Sequence, residues 1–386
     1  MDFDFTTLNT GGGVHPFAAA HGVTDPEIIA YSVAEMRFDL APGITEAMHR
    51  VVDLGCFGYA PPDKDRYDAA VTAWMKDRHG WDVSPAWMIQ STGVLNTMGA
   101  AIRALTAPGD GIILQPPVYQ NFFGLIRNNG RTVVENPLVL RDGRYTMDFD
   151  DLREKAKGAK MLMLCSPHNP VGRVWTREEL RELADICLEN DLWVLSDEIH
   201  FDLDHTGRHL VFTQAAPELK SRALVCTAPS KTFNLAGCAI SNAMAEDEEL
   251  RRKVQTELTN TCGFFVNTFG YAAATAAYET GGPWLDALLA QLQRNREVLK
   301  DGLTALVPGV GFPPLEGTYL QWIDLRCLGL SQEALMEKLN RAQVFVGSGA
   351  DYGAGEEGHI RFNLACPETS IRQALARLEI AFRQEK

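Results

Sequence analysis

Four near-continuous apolar runs in the middle of the chain constrain its fold more than any other feature. They are GIILQ (Gly111 to Gln115), KMLMLCS (Lys160 to Ser166), LWVLSDE (Leu192 to Glu198) and ALVCTA (Ala223 to Ala228). A strand that is apolar at nearly every position is covered on both faces, the habit of parallel sheets. Helical patterns lie between the runs. In TREELRELADICLEN, Thr176 and Glu179 predict a capping box, and Leu180, Leu183, Ala184 and Cys187 share one helical face. Strand, helix, strand at this spacing predicts a parallel pair joined by a right-handed crossover. An α/β fold is expected, with an open, mostly parallel sheet and helices on both sides.

The 386 residues are more than one simple core holds and suggest two or three domains. Towards the C-terminus the pattern changes: helix-like LDALLAQLQRNREVLKDGLTAL leads to GTYLQWIDL, then SQEALMEKLNRA and HIRFNLA. No repeat or charged linker divides the chain. A non-contiguous division is expected, with a large α/β domain over 46–288 and a smaller α+β domain built from 1–45 and 289–386.

Acidic side chains outnumber basic ones 50 to 36, a formal charge of -14, so the global field repels nucleic acid and anionic membranes. A small-molecule partner is expected, with no nucleic acid and no membrane. The N-terminal MDFDFTTLNT lacks the basic and apolar regions of a leader, and no apolar run approaches the ~18 residues of a membrane span. A cytoplasmic location is expected. The eight cysteines show no CxxC pair or metal-ligand spacing and read as reduced, mostly buried thiols. No metal site is expected: His205 and His209 in LDHTGRH read as a solvated loop, and the glycine-rich GSGADYGAGEEG (Gly347 to Gly358) as a mobile one.

Ligands of open α/β sheets gather at the carboxyl ends of strands. Here those ends supply Tyr119, Asn169, Asp197, and Ser230 with Lys231: an aromatic plate, an amide, a carboxylate and an amine. In STGVLNTMGAAIRAL, Thr92, Gly93 and Val94 open a helix whose free amides and dipole suit a phosphate. These groups meet the needs of pyridoxal 5'-phosphate, which takes an amine for its aldehyde, a carboxylate for its pyridine nitrogen, a ring to stack on and an anion cradle.

With SPHNPVG, SDEIH and APSKTF in this order, the chain resembles the fold-type I pyridoxal-phosphate enzymes of the class I/II aminotransferase family. The resemblance extends through CFGYAPPDKDRYDAAVTAW, AAYETGGPWLDAL and IRFNLACP, and is greatest to the cystathionine β-lyase (C–S lyase, MalY/PatB-like) branch. It implies the fold-type I transferase fold and a cofactor carried on Lys231. Tyr119 would stack on the pyridine ring, Asn169 touch its O3′ and Asp197 pair with its nitrogen, while the backbone of Val94 and Leu95 with Ser230 holds the phosphate. Tyr59 would reach the phosphate in a neighbouring subunit, which implies a homodimer with active sites at the interface. His200 stands where many aminotransferases have a tyrosine; a ring contact and a structural role both remain open. An arginine frequent eight residues after the lysine is replaced by Ala239.

For the substrate, the resemblance implies that Arg361 binds the α-carboxylate, with Asn169 and the backbone of Ala34 beside it. Lys231 would then remove the α-proton, and a thiolate on Cβ would leave, yielding pyruvate and ammonia from cystathionine or a related cysteine S-conjugate. Amino acid transamination on the same scaffold is the alternative. The segment Tyr31 to Phe38 departs from the branch pattern, YSVAEMRF standing for W-V-A-D-M-D-F. Arg37 either makes the entrance more cationic and favours carboxylate-bearing S-substituents, or it faces solvent or pairs with an acid such as Asp39.

Overall fold

The computed structural model describes residues 3–57, 63–263 and 265–383. Along the chain the strands are β1 (Met88–Ser91), β2 (Gly111–Leu114), β3 (Thr132–Glu135), β4 (Val139–Arg141), β5 (Arg144–Thr146), β6 (Ala159–Cys165), β7 (Trp193–Asp197), β8 (Ala223–Thr227), β9 (Ser241–Met244), β10 (Leu320–Asp324), β11 (Gly347–Ser348) and β12 (His359–Asn363). The central sheet has the order β1-β9-β8-β7-β6-β2-β3. The four apolar runs are β2, β6, β7 and β8, all parallel to their neighbours among this set. Strand β9 runs antiparallel to β1 and β8, a reversal that no apolar run announces.

Continuous apolarity follows from two-sided cover. Successive side chains of a strand point to opposite faces. On β6, Met161, Met163 and Cys165 pack with Met98 and Ile102 of helix Val94–Leu105 and with Val254 of helix Glu248–Asn260. Leu162 and Leu164 pack on the other face, with Leu180, Leu183 and Cys187 of helix Arg177–Glu189. Truncating one such fully buried Leu to Ala costs roughly 2–5 kcal/mol. The capping box forms as expected: the Thr176 hydroxyl accepts the Glu179 amide at 3.2 Å, and the Glu179 carboxylate accepts the Thr176 amide at 2.8 Å.

The C-terminal strands form a separate antiparallel sheet, β10-β12-β11, packed with helices Gln332–Arg341 and Glu368–Arg383. The N-terminal chain joins this sheet. The Tyr31 amide donates to Phe345 O at 2.7 Å, Asn363 N to Tyr31 O at 3.0 Å, and Arg37 N to Ala365 O at 2.8 Å. Residues 31–38 thus form a strap between the C-terminal sheet and the carboxyl edge of the central one.

Three sequence expectations change. Cys165, Cys187, Cys226 and Cys366 are buried, but Cys56, Cys262 and Cys327 are exposed, so the thiols are not mostly hidden. His205 and His209 are not solvated: each engages a partner, Thr318 O at 2.7 Å and the Glu198 carboxylate at 3.0 Å. The glycine-rich segment starts as ordered structure, β11 followed by a turn at Gly349–Tyr352 in which Gly349 and Tyr352 are buried. Among the described residues no helix is long and apolar enough to cross a membrane.

Candidate active site

Where β2, β6, β7 and β8 end, the central sheet faces the strap and β12 across a cavity of about 410 Å³. Its wall brings together Ala34, Val94, Leu95, Tyr119, Asn169, Asp197, His200, Ser230, Lys231 and Arg361. The remaining predicted residue, Tyr59, lies outside the described residues.

Lys231 sits one turn past β8, in the short helix Pro229–Thr232. Its Nζ donates to Ala34 O at 2.7 Å, so the strap holds the amine over the cavity. Burial and the Arg361 guanidinium hold the ammonium down to about 8, against the pull of Asp197 and Glu35. Neutral amine is therefore accessible near physiological pH, as a nucleophile or base requires.

Asp197 ends β7 and is 5 % exposed. Its carboxylate accepts one amide, Ile199 N at 3.1 Å. Burial pushes it up to about 7, opposed by that bond and by Lys231. Five residues further on, Asp202 accepts from Trp74 Nε1 at 2.9 Å and Thr232 Oγ1 at 2.7 Å, with His79 Nε2 at 2.8 Å. Asp202 is fully engaged, whereas Asp197 faces the cavity and, among the described residues, forms no ion pair.

The loop after β6 presents Asn169, whose Oδ1 accepts from Arg361 Nη1 at 3.1 Å. The other Arg361 terminal nitrogen donates to Ser32 O at 2.6 Å, and Nε has no acceptor. Tyr119 follows β2, its hydroxyl accepting from Asn121 Nδ2 at 2.7 Å. Helix Val94–Leu105 has Gly93 as N-cap with no side-chain cap. Asn96 N and Thr97 N bond back to Gly93 O, which leaves the Val94 and Leu95 amides without an intrahelical acceptor and open to an anion. His200 Nδ1 is buried without a partner, and burial holds its ring well below the usual imidazole range, so it is neutral. Ala239 lines the cavity in the left-handed conformation, φ 49°, and offers no charge to it.

These features fit the expected cofactor. The buried carboxylate without a cation suits a protonated ring nitrogen, the open helix amides suit a phosphate, and the amine of depressed pKa suits an aldehyde.

Two groups of residues escaped the sequence reading. Asn234 and Asn363, each in an FNLA tetrapeptide, bracket the strap: Asn234 Oδ1 accepts from Met36 N at 2.9 Å and its Nδ2 donates to Met36 O at 3.0 Å. Asn363 Nδ2 donates to Val33 O at 2.7 Å and Glu35 O at 2.6 Å. The repeated FNLA was the signal available. Tyr319 also donates to Ala34 O, at 3.0 Å. Arg37 overturns the first expectation made for it and bears out the second in kind, since it pairs with a neighbouring acid. It neither lines the cavity nor faces solvent nor pairs with Asp39, but forms an ion pair with Glu35 at 2.6 Å, its side chain 11 % exposed. The adjacent Glu35 neutralises the charge reversal that the sequence suggested.

The family model for aminotransferases of class I and II matches residues 26–378. The chain belongs to that family. It is 38 % identical to the cystathionine beta-lyase PatB of Bacillus subtilis, over 93 % of each chain. The structure of cystalysin from Treponema denticola, which contains a pyridoxal 5'-phosphate cofactor, matches with a TM-score of 0.96 at 38 % identity over 100 % of both chains. The pyridoxal-phosphate-bound C–S lyase of Staphylococcus hominis matches with a TM-score of 0.89 at 29 % identity, covering 99 % of this chain and 98 % of that one. The fold is accordingly the fold-type I architecture of these enzymes.

Proposed function

We propose that this chain is a pyridoxal 5'-phosphate-dependent C–S β-lyase that cleaves cystathionine or a related cysteine S-conjugate to pyruvate, ammonia and a thiol. The observation that carries the reading is one cavity holding an amine of depressed pKa, a cation-free buried carboxylate and an arginine fork, in a chain 38 % identical to a cystathionine β-lyase.

When bound, the cofactor supplies an electron sink for the carbanion formed at the substrate Cα. Lys231 would hold it, Tyr119, Asn169 and His200 would serve its ring, Asp197 would keep its ring nitrogen protonated, and the Val94 and Leu95 amides with Ser230 would take the phosphate. Arg361 receives the α-carboxylate in a charge-assisted fork, with Asn169 and Ala34 O defining its neighbourhood. The Lys231 amine, freed as the substrate's own amine takes its place, then takes the α-proton, and the Cβ–S bond breaks with its electron pair leaving on sulfur. One water hydrolyses the three-carbon remainder to pyruvate and ammonia, and the thiolate leaves as the thiol on protonation.

Purified protein with cystathionine and no keto-acid acceptor should release pyruvate and thiol in equal amounts. Turnover that requires an added keto acid would establish the aminotransferase alternative instead.

A homodimer belongs to the same proposal, with Tyr59 serving the neighbouring site. Val52, Leu54 and Phe57 at the end of helix Pro42–Asp53, and Phe265 before helix Thr268–Thr280, are 54, 72, 58 and 53 % exposed. The two helices pack on each other, so these apolar side chains mark one face suited to a second copy. A monomer in sedimentation equilibrium would refute this. The domain division at 46–288 is likewise proposed, with boundaries inside helices Pro42–Asp53 and Gly282–Leu306, and a cytoplasmic location with it.

A further inference from the structure

The glycine-rich segment that follows β11 has no part in the chemistry above, yet Tyr352 in it is 1 % exposed and lies directly against the site. The Arg361 guanidinium carbon stands 5.0 Å from the centre of the Tyr352 ring. Gly347 makes room for that contact: it is the cross-strand partner of Arg361, and a Cβ there would come within 3.0 Å of the Tyr352 hydroxyl. Trp322, also opposite Arg361, backs the ring edge-on at 5.4 Å and 80°. Tyr352 also reaches the other wall. Its carbonyl accepts the Val118 amide at 2.9 Å, immediately before Tyr119. Gly353, at φ 151°, lets the chain pass so close to Pro116 that a Cβ would fall 2.7 Å from the proline Cβ.

We propose that Tyr352 is a positioning residue: its ring fixes the Arg361 fork for the substrate carboxylate, while its carbonyl ties that fork to the segment bearing the cofactor-facing Tyr119. Tyr352 does not line the cavity, so it acts only through these neighbours. Asn169 Oδ1 and Ser32 O hold Arg361 in the plane of its guanidinium. The aromatic face supplies what those acceptors lack, a π surface against the guanidinium carbon of a desolvated cation. Without it the fork can tilt, and bidentate geometry is lost first. The inference rests on the assignment of Arg361 to the substrate carboxylate.

The test compares L-alanine with ethylamine, the same molecule without its carboxylate, titrated into holoenzyme and followed by the cofactor's absorbance. Tyr352→Leu and Tyr352→Met fill the space without a π face. Each should lower the preference for L-alanine roughly tenfold, as expected for a buried cation–π contact, with ethylamine binding unchanged. Tyr352→Phe keeps the ring and should restore the preference. An unchanged preference in the Leu and Met variants overturns the proposal, as does equal weakening of both amines or a loss in Tyr352→Phe as large as in Tyr352→Leu. Arg361→Ala separates the two claims. It should lower the preference roughly 10- to 150-fold, the range for a hydrogen-bonded charge. If that variant leaves the preference intact, the assignment of Arg361 falls, whatever Tyr352 does.

Discussion

The two walls of the active-site cavity are built in different ways. On the central-sheet side, Tyr119, Asn169, Asp197 and Lys231 each lie at or just past the end of their own strand, and a few residues of local sequence decide where each side chain goes. On the opposite side the strap presents backbone: Ser32 O and Ala34 O are held by Arg361, Tyr319 and Lys231, and the strap itself by Asn234 and Asn363. Those partners are 197 to 330 residues away in sequence. The first wall concentrates perturbed side chains, and the second orders a backbone against which a substrate can be oriented. Damage to the first should therefore abolish chemistry, and damage to the second should weaken substrate binding.

The largest effect expected is at Lys231. Lys231→Ala should lower turnover by at least ~10³-fold, combining the loss of the base with that of the group that carries the cofactor. Stopped assays of pyruvate would measure it, and near-normal turnover would break the division between the walls. Asp197→Ala comes next, with kcat reduced roughly 10²–10³-fold and weaker cofactor retention on dialysis, as when a main electrostatic stabiliser is removed. Asn363→Ala, on the second wall, should raise KM several-fold while kcat changes little, because it frees two strap carbonyls without touching a reacting atom. An equal fall in kcat would show that the strap takes part in the chemical step.

The smallest effect concerns the cofactor-free protein. Its Asp197 binds a proton up to about pH 7, above the ~3.9 of an unfolded carboxyl, so between these values the folded state holds more protons than the unfolded state. Stability from this group is full below about pH 4 and falls as pH rises to 7. Lys231, held down to about 8, acts in the opposite sense, adding stability as pH rises from 8 towards ~10.4. The melting temperature of Asp197→Asn relative to the parent, both without cofactor, should therefore climb by a few degrees from pH 5 to pH 7. A flat difference would mean that Asp197 is not poised without a cation.

The same contrast explains what the sequence made legible. β2, β6, β7 and β8 were readable because two-sided burial leaves few polar positions, and the groups at their ends followed from reading to and past the end of each run. The reversal of β9 was not, since SNAM is short and carries no pattern of its own. For Arg37, pairing with a nearby acid was legible, but that the acid is Glu35 and not Asp39 is a matter of rotamer and strap geometry, not of spacing. Tyr352 was passed over because glycines suggest mobility, whereas Gly347 and Gly353 are small here so that an aromatic ring and a neighbouring proline can approach. Close approach leaves no periodic trace.

The account depends most on Lys231 as the residue that carries the cofactor. Borohydride reduction of the holoenzyme, followed by peptide mapping, tests this directly. The added mass of the reduced cofactor should lie on the peptide containing Lys231. Label on any other lysine, or none on this one in protein that cleaves substrate, would contradict the assignment from which the rest of the mechanism is built.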